Sequence, residues 1–353
     1  MTAPLFREGG PYKVRRTGHE QYEMSIPLPT DSEGRVAREC PSSTCSPGYF
    51  KVKSGTGITQ NHTEAFCPYC RFGSEPGKFF TKGQVEYAKS VMKREAVAGV
   101  EGMMRDAFGI GSSGKKTIGD GPIKLEFSIK RGSPPSVYRP FEEALQRTVI
   151  CPKCGLDHGV FGLAVWCPDC GEDIFLTHVE AELRVIQTML SDIPRRRKDL
   201  GPRIAARDEE NCLEDVVSVY EAVLRAIVVR ELRNRGKTME EIQDTLKRRV
   251  GNKLQSVLLS QETVEQLLGR RLFEPFEQQE IDRLRQTFEK RHPITHNLGV
   301  VDRKYLERLR TAEREGREIR VTPGEVSDAI SVVLKIVTDL HRRLFDLTAN
   351  GTV

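Results

Sequence analysis

The sequence predicts a mixed α+β chain of several parts: two small modules, each held by four cysteines and built on short strands, then a C-terminal all-α helical bundle. Three observations predict it. Eight of the nine cysteines stand in four close pairs between Cys40 and Cys170. Apolar residues in that front part fall in short alternating runs, whereas from Thr177 onward they recur at threes and fours over long stretches. The expected division is 1–108 for an N-terminal arm, the first cysteine module and a helix, 109–147 for a Gly/Pro-rich linker with a strand, and 148–176 for the second module. A connecting helix over 177–207 and the bundle over 208–353 complete it.

A chain of 353 residues is long enough for two or three domains with a substantial core. Hydrophobic residues at 38% and charged ones at 30% lie in the globular range, and a net charge of +5 permits a nucleic-acid partner without requiring one. Met1–Gly10 lacks the apolar run of a secretory signal. The most apolar stretch, Val216–Val229, is interrupted by Glu221 and Arg225, so no membrane span is expected. A cytoplasmic location is the resulting expectation, and there closely paired cysteines point to metal rather than to disulfides.

Residues 1–35 read as an extended arm with a short strand near Tyr22–Ile26. Cys40-x4-Cys45 and Cys67-Pro-Tyr-Cys70 follow, separated by strand-like Tyr49–Val52 and a turn at Ser54–Gly57. Two thiolate pairs close a tetrahedral site, and four soft ligands favour zinc. The alternative is a set of ordinary buried cysteines. Gln84–Phe108 predicts a helix with Val85, Ala88, Val91, Met92 and Ala96 on its apolar face, and Gly109–Pro122 is a linker by composition. Gly109 and Gly114-Lys115 have the spacing of a phosphate-binding loop. Lys116 replaces its hydroxyl residue and no strand precedes it, which argues against that function. Ile123–Lys130 alternates as a half-buried strand.

Cys151-Pro-Lys-Cys154-Gly and Cys167-Pro-Asp-Cys170-Gly are near-identical knuckles, and the glycine after each second cysteine suits a tight turn. They resemble a zinc ribbon, with Val160–Trp166 as the strand between knuckles. Four thiolates leave no open coordination position, so both metals are expected to be structural. Each module either staples a subdomain too poor in core to fold alone, or presents a recognition surface. In the second case Tyr49, Phe50, Tyr69, Phe72 and Trp166 would stack bases, while Lys51, Lys53, Arg71 and Lys153 hold phosphates.

Val179, Leu183, Ile186 and Leu190 mark a helix ending before Pro194, and the basic run Arg195–Lys198 reads as a solvated helix end rather than a nucleic-acid patch. Glu209–Arg235 is a long helix with Val216, Val219, Val223 and Ile227 facing a core; Cys212, the unpaired cysteine, is expected as a small buried hydrophobe. Met239–Leu268 holds one or two helices broken near Gly251-Asn252, and Pro275–Lys290 another with Ile281, Leu284 and Phe288. Asp302 is an N-cap for a short helix through Leu309. Thr322-Pro323-Gly324-Glu325 is a capping box opening a last helix, with Val326, Ile330, Val333, Val337, Leu340 and Leu344 in register.

The stretch Lys290–Gly299 (K-R-H-P-I-T-H-N-L-G) departs from these patterns. The apolar stripe of the preceding helix continues onto Arg291, and Pro293 is expected to end or kink the helix. A cation, two imidazoles and an amide so gather at a helix break, which points to an anionic ligand. On an unbroken helix Arg291 and His296 lie about 140° apart. Either a break at Pro293 brings them together, or two copies of the chain pair their sites.

R-H-x3-H after an apolar helix, followed by Asn297-Leu298-Gly299-Val300-Val301-Asp302, resembles the R-x4-6-H motif of the HEPN superfamily, over roughly 208–348. The resemblance implies a helical-bundle, metal-independent RNase that works as a homodimer, with the family roles on Arg291 and His296 and with His292 in the polar position after the arginine. RNA cleaves itself when its 2′-hydroxyl is deprotonated and attacks the adjacent phosphorus. His296 fits the acid/base and Arg291 the cation for the negative phosphorane; His292 is a second acid/base or a support, and Asn297 a partner for a ribose or for His296. Two functions are carried: an endoribonuclease, as a toxin or antiviral defence effector, and a non-catalytic zinc-ribbon adaptor whose bundle dimerises and binds RNA or a partner protein.

Overall fold

The computed structural model describes residues 5–6, 8–19, 21–57, 63–110, 114–119, 124–129, 132–140, 143–145, 147–309, 311 and 313–346. A hairpin of β1 (Arg15–Gly18) and β2 (Gln21–Glu23) comes first; β2 starts the strand expected near Tyr22–Ile26. β3 (Arg35–Glu39) and β4 (Tyr49–Lys53) pair across the loop that carries Cys40 and Cys45, and β5 (Ala65–Phe66) and β6 (Gly73–Ser74) pair across the knuckle of Cys67 and Cys70. α1 (Lys82–Phe108) begins on a capping box in which the Thr81 hydroxyl accepts from the Gln84 amide. Of its expected apolar face only Val91 is buried, while Val85 and Met92 are exposed.

β7 (Lys115–Ile118) and β8 (Leu125–Ser128) form a second hairpin, so the segment expected as linker is partly strand: β8 found its partner there. Ile123 and Lys130, the expected ends of that strand, lie outside the described residues, as do linker positions 111–113 and 120–122. β9 (Arg147–Ile150) and β10 (Asp157–Val160) flank the knuckle of Cys151 and Cys154. The strand expected at Val160–Trp166 therefore lies earlier. The Val165 and Trp166 amides are drawn to the Pro68 carbonyl, at 2.8 and 3.1 Å, and so leave the sheet.

The sheet order is β3–β4–β10–β9, antiparallel throughout, with Phe50 opposite Val160 and Val52 opposite His158. The two cysteine modules thus share one sheet, and one core that holds Phe50, Phe79, Val149, Val160 and Ile174 with Cys40, Cys67, Cys151 and Cys167. The separate modules expected over 1–108 and 148–176 are one unit, because β4 and β10 each need a neighbour on both edges to satisfy their backbones. His158 is fully buried in this sheet. Burial holds its pKa down at about 4, against the pull of the Leu156 carbonyl and with help from His178. A histidine kept neutral when folded resists protons that the unfolded chain takes up, so it costs stability as pH falls from about 6.5 to about 4. Urea titrations at pH 7 and pH 4.5 should show wild type losing about 2 kcal/mol more than His158→Gln; equal losses would contradict this.

The rest is helical: α2 (Phe175–Leu200), α3 (Pro202–Asn234), α4 (Met239–Thr245), α5 (Val257–Leu268), α6 (Gln278–Glu289), α7 (Arg291–Asn297), α8 (Arg303–Arg308) and α9 (Pro323–Phe345). One π turn over Leu246–Val250 and a 3-10 turn at Lys253–Gln255 make the break expected near Gly251. α2 is not a connector, since Val179, Leu183, Ile186 and Leu190 pack into the same core as α3 and α9. It also runs through Pro194, which faces solvent while Ile193 is buried. The three arginines of the basic run are paired: Arg195 with Asp192 and Asp199, Arg196 with Asp208, and Arg197 with Glu209. Cys212 is fully buried, and the Asp302 and Thr322 caps form as expected.

Tyr220 anchors this core. Its buried hydroxyl lies 2.7 Å from the Ser260 hydroxyl, and its ring meets Phe288 edge-on at 5.4 Å. Ser260 also donates to the Val257 carbonyl, so Tyr220→Phe strands little and should cost about 1 kcal/mol. Tyr220→Ala empties the centre of the bundle and should cost about 3–5 kcal/mol in urea unfolding.

Candidate functional site

The helix before the Arg/His stretch breaks at Lys290, one turn earlier than Pro293, because a proline ring collides with the carbonyl four residues back, here that of Glu289. The Lys290 ammonium holds the break closed through the Arg320 carbonyl at 2.8 Å and the Glu325 carboxylate. Arg291 to Asn297 are consequently one uninterrupted helix, and Arg291 and His296 stay about 140° apart on it. The proline does not bring them together within one chain.

His292 and His296, four residues apart, do share a face, with ring centroids 5.0 Å apart. His292 is half-buried and His296 exposed, and among the described residues no carboxylate pairs with either ring. Burial, then the positive charges of Arg308 and Lys304, lowers the His292 pKa below the ordinary value of 6.5, against the opposing charge of Asp302. The Arg291 guanidinium turns the other way and donates to the Gln255 side chain at 2.9 Å. Gln255 in turn donates to Glu221 at 2.7 Å, and Glu221 accepts from Arg225 at 2.9 Å. Gln255 was invisible in the sequence as a partner, since nothing there joins positions 36 residues apart. The Asn297 amide donates to the Val300 carbonyl at 2.8 Å and closes the turn after α7. That turn exposes Leu298 almost completely, at 89%, with a backbone φ of +50°. The imidazole pair lines neither the 730 Å³ cleft beside α6 and α9 nor a 1090 Å³ cleft at the sheet–bundle junction.

The cysteines behave as the spacing demands. Cys40, Cys45, Cys67 and Cys70 form one cluster and Cys151, Cys154, Cys167 and Cys170 another, all sulfurs of each lying within 4.8 Å of one another. Cys40–Cys70 and Cys45–Cys67 are 3.6 Å apart, Cys154–Cys167 3.6 Å and Cys151–Cys170 3.7 Å. A tetrahedral thiolate site with bonds of about 2.3 Å sets sulfurs about 3.8 Å apart, so both clusters fit a metal ion. The knuckles at Cys67, Cys151 and Cys167 repeat one hydrogen-bond pattern: the first cysteine's amide donates to the residue five on, and its carbonyl accepts from the residue after the second cysteine.

The expected stacking surface does not form as one face, because Phe50 and Lys51 are buried and the lysines are paired. Phe50 is 2% exposed, and the Tyr69 hydroxyl is occupied by the Tyr49 carbonyl and the Phe161 amide. Tyr49 leans on Phe161, while Phe72 remains exposed. Trp166 has Arg71 at 4.3 Å and Arg230 at 4.4 Å from its ring centroid. Lys51 is buried against Asp31 at 3.3 Å, Lys53 lies 3.6 Å from Asp157, and Lys153 pairs with Glu172. No family model matches the chain, and neither a curated protein nor a solved structure is significantly similar to it.

Proposed function

We propose that this chain is a metal-independent endoribonuclease of the HEPN type, held by two structural zinc sites, in which two copies join their α7 faces around one phosphodiester. The observation that carries it is the His292–His296 pair, two imidazoles side by side on an accessible face and, among the described residues, in no ion pair with a carboxylate. A neutral imidazole beside a second one supplies the base and the acid that transesterification needs. The 140° separation of Arg291 from His296 makes a second copy the natural source of the guanidinium, and the bared Leu298 beside the pair supplies an apolar anchor for it. Purified chain incubated with a labelled RNA and with its all-deoxy counterpart should cut only the RNA. Equal cleavage of both strands, or none of either, would refute this. Light scattering should give a dimer, and Leu298→Glu should both dissociate it and cut cleavage at least tenfold; an active monomer would contradict the shared site.

One observation favours the other reading, a non-catalytic adaptor in which zinc modules and bundle serve binding alone: Arg291 is engaged by Gln255 rather than free. Gln255→Ala separates the two. It leaves cleavage within a few-fold if the guanidinium is recruited to RNA, and there is no cleavage to change if the arginine is only a helix clamp.

A further inference from the structure

The knuckle of Cys67 and Cys70 departs from the other two at one position. After Cys154 and Cys170 the chain uses Gly155 at φ +76° and Gly171 at φ +65°, whereas after Cys70 it places Arg71 in the same left-handed conformation at φ +61°. The hydrogen bond is the same in all three, with Arg71 N–H donating to the Cys67 carbonyl at 3.0 Å. A side chain costs about 1–2 kcal/mol there. Stacking over Trp166 at 4.3 Å returns only about 0.5–1 kcal/mol at an exposed site. Stability alone therefore does not account for arginine where glycine serves twice, and such strain is a pointer to function.

Arg71 opens onto the 1090 Å³ cleft between the cysteine sheet and the bundle. Arg230, Arg233 and Arg342 line the same cleft, with Leu176, Val229 and Phe345 as apolar wall. Arg230 is committed to Asp173 at 2.6 Å, and Arg233 to the Tyr69 carbonyl at 3.4 Å. Arg71 and Arg342 are exposed and have no carboxylate partner among the described residues. Five arginines, Arg225 among them, line the cleft against the three carboxylates of Glu172, Asp173 and Asp346, and two guanidinia crowd one indole, so the balance favours negative charge next to flat apolar surface.

We propose that this cleft binds a phosphate-bearing nucleotide, free or at the end of a strand, with Arg71 and Arg342 on the phosphates. This is a site apart from His292 and His296 and does not depend on their chemistry. Trp166 is the chain's sole tryptophan, so its fluorescence reports on this cleft alone. The full metal-loaded chain is titrated with ATP, with a 5′-phosphorylated ribotrinucleotide and with tripolyphosphate, in excess Mg²⁺ so that the cysteine clusters keep their metal. A saturable change is expected with ATP or the trinucleotide, and the tighter of these tells a free nucleotide from a strand end; tripolyphosphate is expected to bind more weakly. Arg71→Gly relieves the strained backbone, so its melting temperature should hold or rise while affinity falls at least tenfold; Arg342→Ala should weaken binding without touching the knuckle. No saturable change with any of the three probes, or Arg71→Gly binding within twofold of wild type, overturns the proposal.

Discussion

Replacing His296 by alanine is expected to lower cleavage of a labelled RNA by about two to four orders of magnitude, the share that a positioned acid/base supplies. His292→Ala should fall as far, since each ring lies 5.0 Å from the other and neither has another catalytic group in hand. The pH profile distinguishes their roles. Burial and the charges of Arg308 and Lys304 keep His292 neutral to a lower pH than a free histidine, so it is the ring suited to take the 2′-hydroxyl proton. A base works only when unprotonated. The acid limb of the rate profile should therefore lie below pH 6.5, and neutralising Lys304 and Arg308 as a pair should move it upward. Cleavage unaffected by both histidine variants would assign the activity elsewhere. An acid limb above pH 6.5 would instead take the base role from His292.

What could be read from the sequence and what could not divide along physical lines. Ligand spacing was legible because a tetrahedral site fixes which cysteines must meet, and capping was legible at Thr322 and Asp302 because it is settled within one helical turn. Strand pairing was not. That β4 and β10 lie side by side is a contact between residues over a hundred positions apart, and only the hairpin's own neighbours are written locally. Pro293 was read correctly as a breaker and placed wrongly, because its steric effect falls on the turn before it. The charge of Arg71 was legible as a phosphate ligand, but its place in a position where the other two knuckles carry glycine was not drawn from the same sequence. Asp173, which Arg230 meets at 2.6 Å and His341 at 3.3 Å, had no local signature as a partner, since Arg230 lies on α3 and His341 on α9.

Stripping the metal is expected to unfold the front half of the chain while leaving much of the bundle helical. Structural zinc bound by thiolates contributes about 10–16 kcal/mol at neutral pH, as large as the whole stability of an ordinary domain. The apolar core that the two clusters share is small and is itself partly made of their sulfurs. Nothing of comparable size remains when the ion leaves. The common sheet adds a sharper expectation. Because β10, which follows the knuckle of Cys154, is hydrogen-bonded to β4, which follows that of Cys45, damage at one cluster should reach the other. Cys167→Ser removes a fully buried ligand of the second cluster only. Independent ribbons would leave one metal ion per chain after dialysis against a weak chelator; the shared sheet predicts markedly less than one. Helical circular dichroism should survive, since α2, α3 and α9 share an apolar core that none of the eight clustered cysteines enters. Atomic absorption giving one full equivalent, with the first cluster intact, would show that the modules fold separately despite their common strands.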